Sequence, residues 1–367
     1  MLPLKHPLLA AAVWAGLATV APAAVAAQAD TPMGWREAND AVGQFQRGHI
    51  DVLRWEQANL QAPPEPAAPA PTLVLPAPAD AVRQAWKTHL SLAGVQAQLG
   101  SALTEAVAQG RWMDLDPSLH RRVHGLGELL AVAREARLAW IRAVAARQAV
   151  GLHRESLIAA ETAHELGRRM VQVGNWSRLQ GAPASLALSE ARMALQRAEY
   201  TDALAERELI RVLRLTGQHD RVALPEGLPA LPDTLISTEA LDAHLQHLRD
   251  QLQRAEALRA ASYARMAHKA YRTSHALAAG YRDEVLKTRE LMAEETVLRY
   301  NGMLKSVWDV LTETRLRFAA AAEAVNAQRD FWLAEADLQW VLQGGEPSSF
   351  VSLGGGSSAA ASAAPAH

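Results

Sequence analysis

Histidine and methionine side chains at helical spacing are the residues of this sequence that could bind a metal ion. They form three groups: His120 with His124, His244 with His247, and Met266 with His268 and His275. Imidazole and thioether groups suit soft or borderline metal ions. Histidines on exposed helix faces are common, however, and the chain has no cysteine that could supply a thiolate or a disulfide. We therefore expect no metal site and no resident cofactor.

Signatures of catalysis are absent from the sequence. His164 and Glu165 begin an HExxH-like segment, but Arg168 stands where the second histidine would be needed. There is no GxSxG motif, phosphate-binding loop or dinucleotide fingerprint. A formal charge of −2 gives no reason to propose a nucleic-acid partner. The sequence therefore predicts a protein that is not an enzyme.

Long helices with residues recurring every seven positions are the elements that position everything else. A seven-residue repeat keeps one face of a helix against its neighbour in a left-handed supercoil. Two helices carry both a bulky row and a small row, which indicates packing neighbours on two sides. The first has the bulky row Leu179, Leu186, Met193 and Tyr200 and the small row Ala184, Ala191, Ala198, Ala205 and Val212. The second has the bulky row Leu304, Leu311, Phe318, Val325 and Trp332 and the small row Ala320, Ala327, Ala334 and Val341.

Each of these helices follows a tight turn, so the chain contains two helical hairpins. The tips are Val173-Gly174-Asn175 and Tyr300-Asn301-Gly302. The tip glycines lie 128 residues apart, while the motifs LAEREL and LAEADL farther along lie 129 apart, which predicts one shared plan with an indel of about one residue. Because proline disrupts a helix interior, Gly181-Ala182-Pro183 predicts that the first return helix begins at Pro183, after a longer loop.

Several of these segments resemble the TolC family of outer-membrane efflux proteins. The resemblance covers roughly residues 135 to 345 and depends on RMVQVGNWSRL, LAEREL, LPEGLPALP, AYRTSHALAAGYRDEVL, YNGML and AQRDFWLAEADLQWVLQGG. The sequences YNGML and DFWLAEADL are similar to those of the branch of the family that is found with copper and heavy-metal resistance systems. The resemblance implies a homotrimer whose hairpins form a helical tunnel through the periplasm. It also implies two partners, a periplasmic adaptor protein and an inner-membrane pump.

The resemblance also implies two sets of site residues. Asp309 matches an aspartate that lines the periplasmic aperture of the family, where three carboxylates around one axis would attract cations. An ordinary solvated helix residue is an equally good interpretation of Asp309. The full aperture set is Lys305, Asp309, Thr312 and Glu313, and the residues that match the adaptor-contacting tips are Gly174, Asn175, Ser177, Asn301 and Gly302.

The sequence divides into seven segments. We expect residues 1–26 to form a signal peptide, residues 27–60 a helical segment and residues 61–80 a proline-alanine linker. Residues 81–220 and 237–345 are the two hairpin repeats, 221–236 are a proline-rich connector, and 346–367 predict a disordered tail. Within the first repeat, residues 118–173 predict one nearly continuous helix of about 55 residues, roughly 80 Å long.

The fold class predicted is all-α, built from long antiparallel helical hairpins in a coiled-coil arrangement like the TolC α-barrel repeats, with little or no β-barrel. A typical family member interrupts each repeat with a β-hairpin, whereas residues 251–282 here read as helix throughout. The leading hypothesis is an exported duct component of a tripartite efflux system, in the outer membrane or periplasm of a Gram-negative bacterium. The alternative is a soluble periplasmic coiled-coil scaffold or metal-binding protein that no longer conducts.

Overall fold

The computed structural model of this chain describes residues 72–116, 118–249 and 254–346, with side chains described from residue 258 onward in the last range. The predicted signal peptide, the N-terminal helical segment, most of the linker and almost all of the tail lie outside the described residues. The described part is helical apart from turns and two short strands, β1 (Leu73–Val74) and β2 (Val222–Ala223), which pair in parallel. The all-α prediction is confirmed for this part of the chain.

A group of short helices comes first in the described chain. Helix α1 spans Pro78–Thr88 and so begins within the last three residues of the segment predicted as linker; it is followed by α2 (Ala93–Leu99), α3 (Ser101–Ala108) and α4 (Leu119–Arg122). Two 3₁₀ turns, Leu90–Leu92 and Trp112–Asp114, separate them. The long helix predicted from Ser118 does not begin there, because Gly125 takes the left-handed conformation, with φ of 84°, and caps α5 instead.

The long helices form two antiparallel hairpins, as predicted. The first consists of α5 (Leu126–Gln172, 47 residues) and α6 (Arg178–Val212). After α7 (Thr238–Arg249), the second begins with α8 (Arg254–Gly280), which continues through a π-helical turn at Tyr281–Val285 into α9 (Leu286–Asn301) and returns as α10 (Val307–Leu342). Helix α5 lies between α6 and α10, and α10 lies between α5 and the α8–α9 helix. In the described part of the chain, no helix is both long enough and apolar enough to span a membrane.

The start of α6 corrects the prediction made from Pro183. The helix begins at Arg178, because the Ser177 hydroxyl accepts a hydrogen bond from the Gln180 backbone N–H and caps the first turn. Gly181 has a packing role there, since an added Cβ would lie 2.9 Å from the Val171 side chain of α5. Pro183 then falls inside the helix, and the first tip has no longer loop than the second.

Arginines of α5 bind the two return helices from either side. Arg134 pairs with Asp337 of α10 at 2.6 Å, and Arg137 pairs with Glu335 of α10 at 3.1 Å in a buried setting. Toward α6, Arg147 pairs with Glu206 at 3.1 Å and also donates to the Val222 carbonyl oxygen of β2. Helix α5 is therefore the element that joins the two hairpins.

The small rows face neighbouring helices within the chain. In α6, Ala191 is buried and the other small-row residues are half-buried, because alanine lets α6 approach α5 closely. The bulky row of α6 faces the other way, and all four of its residues are exposed: Leu179, Leu186, Met193 and Tyr200. In α10 the bulky row is buried or half-buried except for Leu304, which lies in the turn before the helix and is exposed. The second neighbour predicted for α6 does not come from the described part of the chain.

Candidate functional site: the paired hairpin tips

The two tips lie side by side at one end of the helical layer. The indole rings of Trp176 and Trp308 stack with their centroids 4.5 Å apart. Gly167 of α5 makes room for them, since a Cβ there would lie 3.4 Å from Trp308 and 3.6 Å from Trp176. The pair of tryptophans therefore joins the first tip to the beginning of α10.

Equivalent backbone positions of the two tips lie 129 residues apart, which is also the spacing between LAEREL and LAEADL. Gly174 therefore corresponds to Met303. In the first tip, Gly174 N–H donates to Val171 O at 3.1 Å, and in the second, Met303 N–H donates to Tyr300 O at 2.9 Å. Gly174 and Met303 are also the two tip residues with positive φ, at 81° and 58°. The predicted match between Gly174 and Gly302, with an indel of one residue, is therefore wrong. Gly302 has φ of −81° and takes the place of Val173.

Each tip ends in the same capping arrangement. The backbone N–H of Ser177 donates to the Gln180 side chain at 2.8 Å, while the Gln180 N–H donates to the Ser177 hydroxyl at 3.2 Å. In the second tip the Ser306 N–H donates to Asp309 at 2.9 Å, and the Asp309 N–H donates to Ser306 at 3.3 Å. Such reciprocal bonds satisfy two backbone donors that a helix start leaves unpaired. The caps fix where both return helices begin.

Asp309, the central residue of the predicted aperture, is part of this cap. Its carboxylate accepts bonds from both the backbone N–H and the hydroxyl of Ser306, and Lys305 approaches it at 3.6 Å. These hydrogen bonds lower the pKa of Asp309 below its usual value, so the carboxylate is charged at neutral pH. Its role at an aperture remains a prediction, and its role in the helix cap is visible directly.

The other predicted aperture residues occupy different surroundings. Thr312 is exposed, and Lys305 is exposed beside Asp309. Glu313 is buried, and its carboxylate pairs with Arg289 of α9 at 3.2 Å. Glu313 therefore stabilises the contact between α9 and α10, so the structure brings together Lys305 and Asp309 and leaves Glu313 apart from them.

All five residues predicted to contact an adaptor are exposed at the tips: Gly174, Asn175, Ser177, Asn301 and Gly302. Sequence reasoning missed the apolar residues between them. Met303 is 94% exposed and Leu304 is 78% exposed, and Val173 and Leu179 of the first hairpin are exposed as well. The sequence does contain a signal for the contact between the tips, namely a tryptophan close to each tip, Trp176 and Trp308. The tips thus offer exposed backbone and apolar side chains to a partner.

Three of the six histidines considered as metal ligands bind backbone carbonyl groups of the protein itself. Nε2 of His244 lies 2.8 Å from Leu342 O, Nε2 of His268 lies 2.8 Å from Ile236 O, and Nε2 of His275 lies 3.1 Å from Pro232 O. A carbonyl only accepts, so each imidazole donates here and presents no Nε2 lone pair to a metal. Among the described residues, no group of three or more histidine and acidic side chains could hold a metal ion.

No protein-family model matches this chain, and no curated protein matches it. Among solved structures it is similar to a membrane protein from Pseudomonas aeruginosa, at 13% identity and a TM-score of 0.46 over 65% of this chain and 74% of that one. It is also similar to CusC, solved in a study of the conformational changes that accompany folding and transmembrane channel formation. There the identity is 12% and the TM-score 0.44, over 71% of this chain and 93% of that one. At such identities and TM-scores, neither likeness assigns the chain a family or a function.

Proposed function

We propose that this chain is a TolC-like duct component of a tripartite efflux system, exported to the outer membrane or periplasm. Three copies would form a helical tunnel that carries small molecules or metal ions across the periplasm. The hairpin tips would contact a periplasmic adaptor protein, which works with an inner-membrane pump. The motif resemblance supports this proposal, and one structural observation carries it.

That observation is a pair of exposed apolar rows on the two outer helices of the four-helix layer. On α6 the bulky row follows a seven-residue spacing, and Leu179 is 83% and Tyr200 67% exposed. On α9 at the other side, Leu291 and Leu298 are exposed seven positions apart. Exposed apolar residues in regular rows are typical of an interface that another chain covers.

The two rows suit each other because they lie on helices that run in opposite directions. Helix α6 leaves its tip, whereas α9 approaches its own, and the contact between Trp176 and Trp308 places both tips at one end. The α6 side of one copy can therefore pack antiparallel on the α8–α9 side of the next, continuing the pattern inside the chain. Such a head-to-tail contact forms a closed ring when its rotation closes. The partner that the rows fit is a second copy of this chain.

Sedimentation velocity of the mature chain tests the assembly. We expect a trimer, and we expect Leu186→Glu combined with Met193→Glu to give monomers, because buried charges in the new interface would lack partners. Gln98→Glu, at an exposed position of α2 that belongs to neither row, is the control and should remain trimeric. A monomeric wild-type chain with no partner would contradict the duct and favour the scaffold alternative.

Tolerance assays test transport. Deleting the gene should lower tolerance to at least one compound in a panel of copper, zinc and drugs, and the wild-type gene should restore it. The Leu186→Glu, Met193→Glu variant should fail to restore it, whereas Gln98→Glu should succeed. Unchanged tolerance across the panel would count against an export role. Photo-crosslinking from Asn175 and Met303 would report whether an adaptor contacts the tips.

A further inference from the structure

A groove lies between the first turns of α7 and the middle of α8. It has a volume of about 460 Å³ and is lined by α7 residues between Thr238 and Asp242 and by α8 residues between Arg265 and Thr273. Both helices belong to the same chain, so the lining is complete in one copy and does not depend on assembly.

The packing of α7 on α8 holds the groove in shape. Leu241 and Leu245 of α7 lie in one hydrophobic cluster with Ala264 of α8. His268, which also lines the groove, donates from Nε2 to Ile236 O at 2.8 Å and so attaches the residues before α7 to α8. The groove is therefore formed by packed helices rather than by a loop.

Three cationic side chains of α8 line the groove, and their spacing lets them meet. They are Arg265, Lys269 and Arg272, and all three are exposed. At about 100° per residue, spacings of four and seven keep them within an arc of about 60° on the helix. Along the axis, Arg265 and Arg272 lie about 10 Å apart with Lys269 between them, so each long side chain has to cover only about 5 Å to reach a common point.

Positive charge is in excess within the groove. The three cations form no ion pair or side-chain hydrogen bond with any described residue. Asp242 is the carboxylate of the lining, so three cations against one carboxylate leave two positive charges. Glu239 lies outside the lining, and its pKa is lowered by hydrogen bonds from its own backbone N–H and from Ser237 and, to a smaller extent, by attraction to Arg272. A positive excess remains even when Glu239 is counted.

The donors of the groove suit a tetrahedral oxyanion. A guanidinium presents planar pairs of N–H donors to phosphate oxygens, and an ammonium group binds them as a point charge. The lining also includes two threonines, Thr238 and Thr273, whose hydroxyls are uncharged donors. A phosphate monoester carries a charge close to −2 at neutral pH, which matches the excess of the lining.

We infer that the groove between α7 and α8 binds a phosphate group through Arg265, Lys269 and Arg272. This goes beyond the proposed function, which assigns no ligand to α7 or α8. Inorganic phosphate and the phosphomonoester of a lipid headgroup present the same oxygens to these side chains, and the experiments distinguish the two sources.

Isothermal titration calorimetry of the mature chain with inorganic phosphate, at constant ionic strength, tests the inference. We expect saturable binding. Lys269→Gln and Arg272→Gln should each weaken it about tenfold, because each removes a hydrogen bond between charged groups. Asp242→Asn should tighten it severalfold, because a like charge is removed. Arg259→Gln, at an exposed position of α8 outside the lining, is the matched control and should bind as the wild type does.

Vesicle flotation distinguishes the sources of phosphate. Phosphatidylcholine vesicles that contain phosphatidic acid present phosphomonoesters, and pure phosphatidylcholine vesicles do not. Flotation that requires phosphatidic acid, and that Lys269→Gln loses while Arg259→Gln keeps it, would assign a lipid headgroup. Saturable binding of inorganic phosphate without flotation would assign a soluble phosphate.

No saturable binding of inorganic phosphate, or equal weakening by Lys269→Gln and Arg259→Gln, would overturn the inference. Circular dichroism would verify that the variants keep their helices. The titration repeated on the Leu186→Glu, Met193→Glu variant separates this inference from the proposed assembly. Phosphate binding by a monomer would support the groove even where the trimer fails. Binding by that monomer but not by a wild-type trimer would show that the next copy covers the groove, and would also overturn the inference.

Discussion

The first hairpin, α5 with α6, and the second, α8–α9 with α10, form the same tip but have different neighbours. The bulky row of α6 is exposed because α6 lies at the side of the layer. The equivalent positions of α10, counted from the match of Gly174 with Met303, are covered by the chain itself: Trp308 stacks on Trp176, Arg315 pairs with Glu190, Ala322 is buried, and Arg329 pairs with Asp330. The repeat therefore preserves the backbone, while each helix carries the residues that its own neighbours require.

The acidic residues of the LAE motifs show the same difference. Glu206 and Glu335 hold the same place in LAEREL and LAEADL and both pair with arginines of α5, but in unlike surroundings. Arg137 and Glu335 are almost fully buried, whereas the side chain of Arg147 is 32% exposed beside Glu206. Hence the contact between the hairpins should depend on buried charge more strongly than the contact within the first hairpin does.

Removing Arg134 should produce the largest effect. Arg134→Met leaves Asp337 buried without its partner, and such a loss costs about 3 kcal/mol of unfolding free energy, measurable by urea titration. Burial already raises the pKa of Asp337 against the effect of Arg134. In the variant this pKa should rise further, so the deficit should shrink as pH falls and Asp337 takes up a proton. The control is Arg192→Met at an exposed site, and an equal loss there would contradict the argument.

Removing Arg147 should cost less. Arg147→Met breaks partly exposed pairs with Glu206 and Asp202 and a hydrogen bond to Val222 O, for about 1 to 2 kcal/mol in total. Urea titration alongside Arg134→Met gives the comparison directly. A larger loss at Arg147 than at Arg134 would show that the first hairpin, rather than the contact between hairpins, depends more on charge.

Heptad spacing predicted the long helices and both hairpins, because a repeat of apolar residues is a local property of the sequence. The helix predicted over residues 251–282 is confirmed in the described range from Arg254. Spacing could not predict which row faces the rest of the chain, since that depends on whether a helix is flanked on one side or two. Nor could it predict the start of α6, where the Ser177 cap prevails over Pro183. For the site, the tip glycines located both turns correctly but gave the wrong correspondence between residues of the two tips. The reason is that the second tip places Met303 in a backbone conformation that usually favours glycine.

Because Met303 takes the place that Gly174 has in the first tip, exchanging the two residue types should change the stability of the two tips in opposite directions. Gly174→Met should destabilise the first tip by about 1 kcal/mol, because a side chain in the left-handed region clashes with the backbone. Met303→Gly should stabilise the second tip by up to about 1 kcal/mol for the same reason, less the greater flexibility of glycine in the unfolded chain. Thermal unfolding of both variants measures the signs. Effects of the same sign would mean that Gly174 and Met303 are not equivalent positions, and Asn301→Gly, in the last turn of α9, serves as a control without positive φ.

The smallest expected difference lies in the caps, where Asp309 stands at the position of Gln180. Hydrogen bonds from Ser306 lower the folded-state pKa of Asp309, so its contribution to stability is full above the ordinary pKa of about 3.9 and is lost as pH falls through the lower folded value. Gln180 does not titrate, so the first cap should keep its hydrogen bonds in acid. NMR titration of the Ser306 and Ser177 amides should show a change below pH 4 in the first and none in the second. Asp309→Asn should abolish the change, and Gln180→Glu should transfer it to Ser177. If Ser306 responded to acid even in Asp309→Asn, another group would have to hold the second tip.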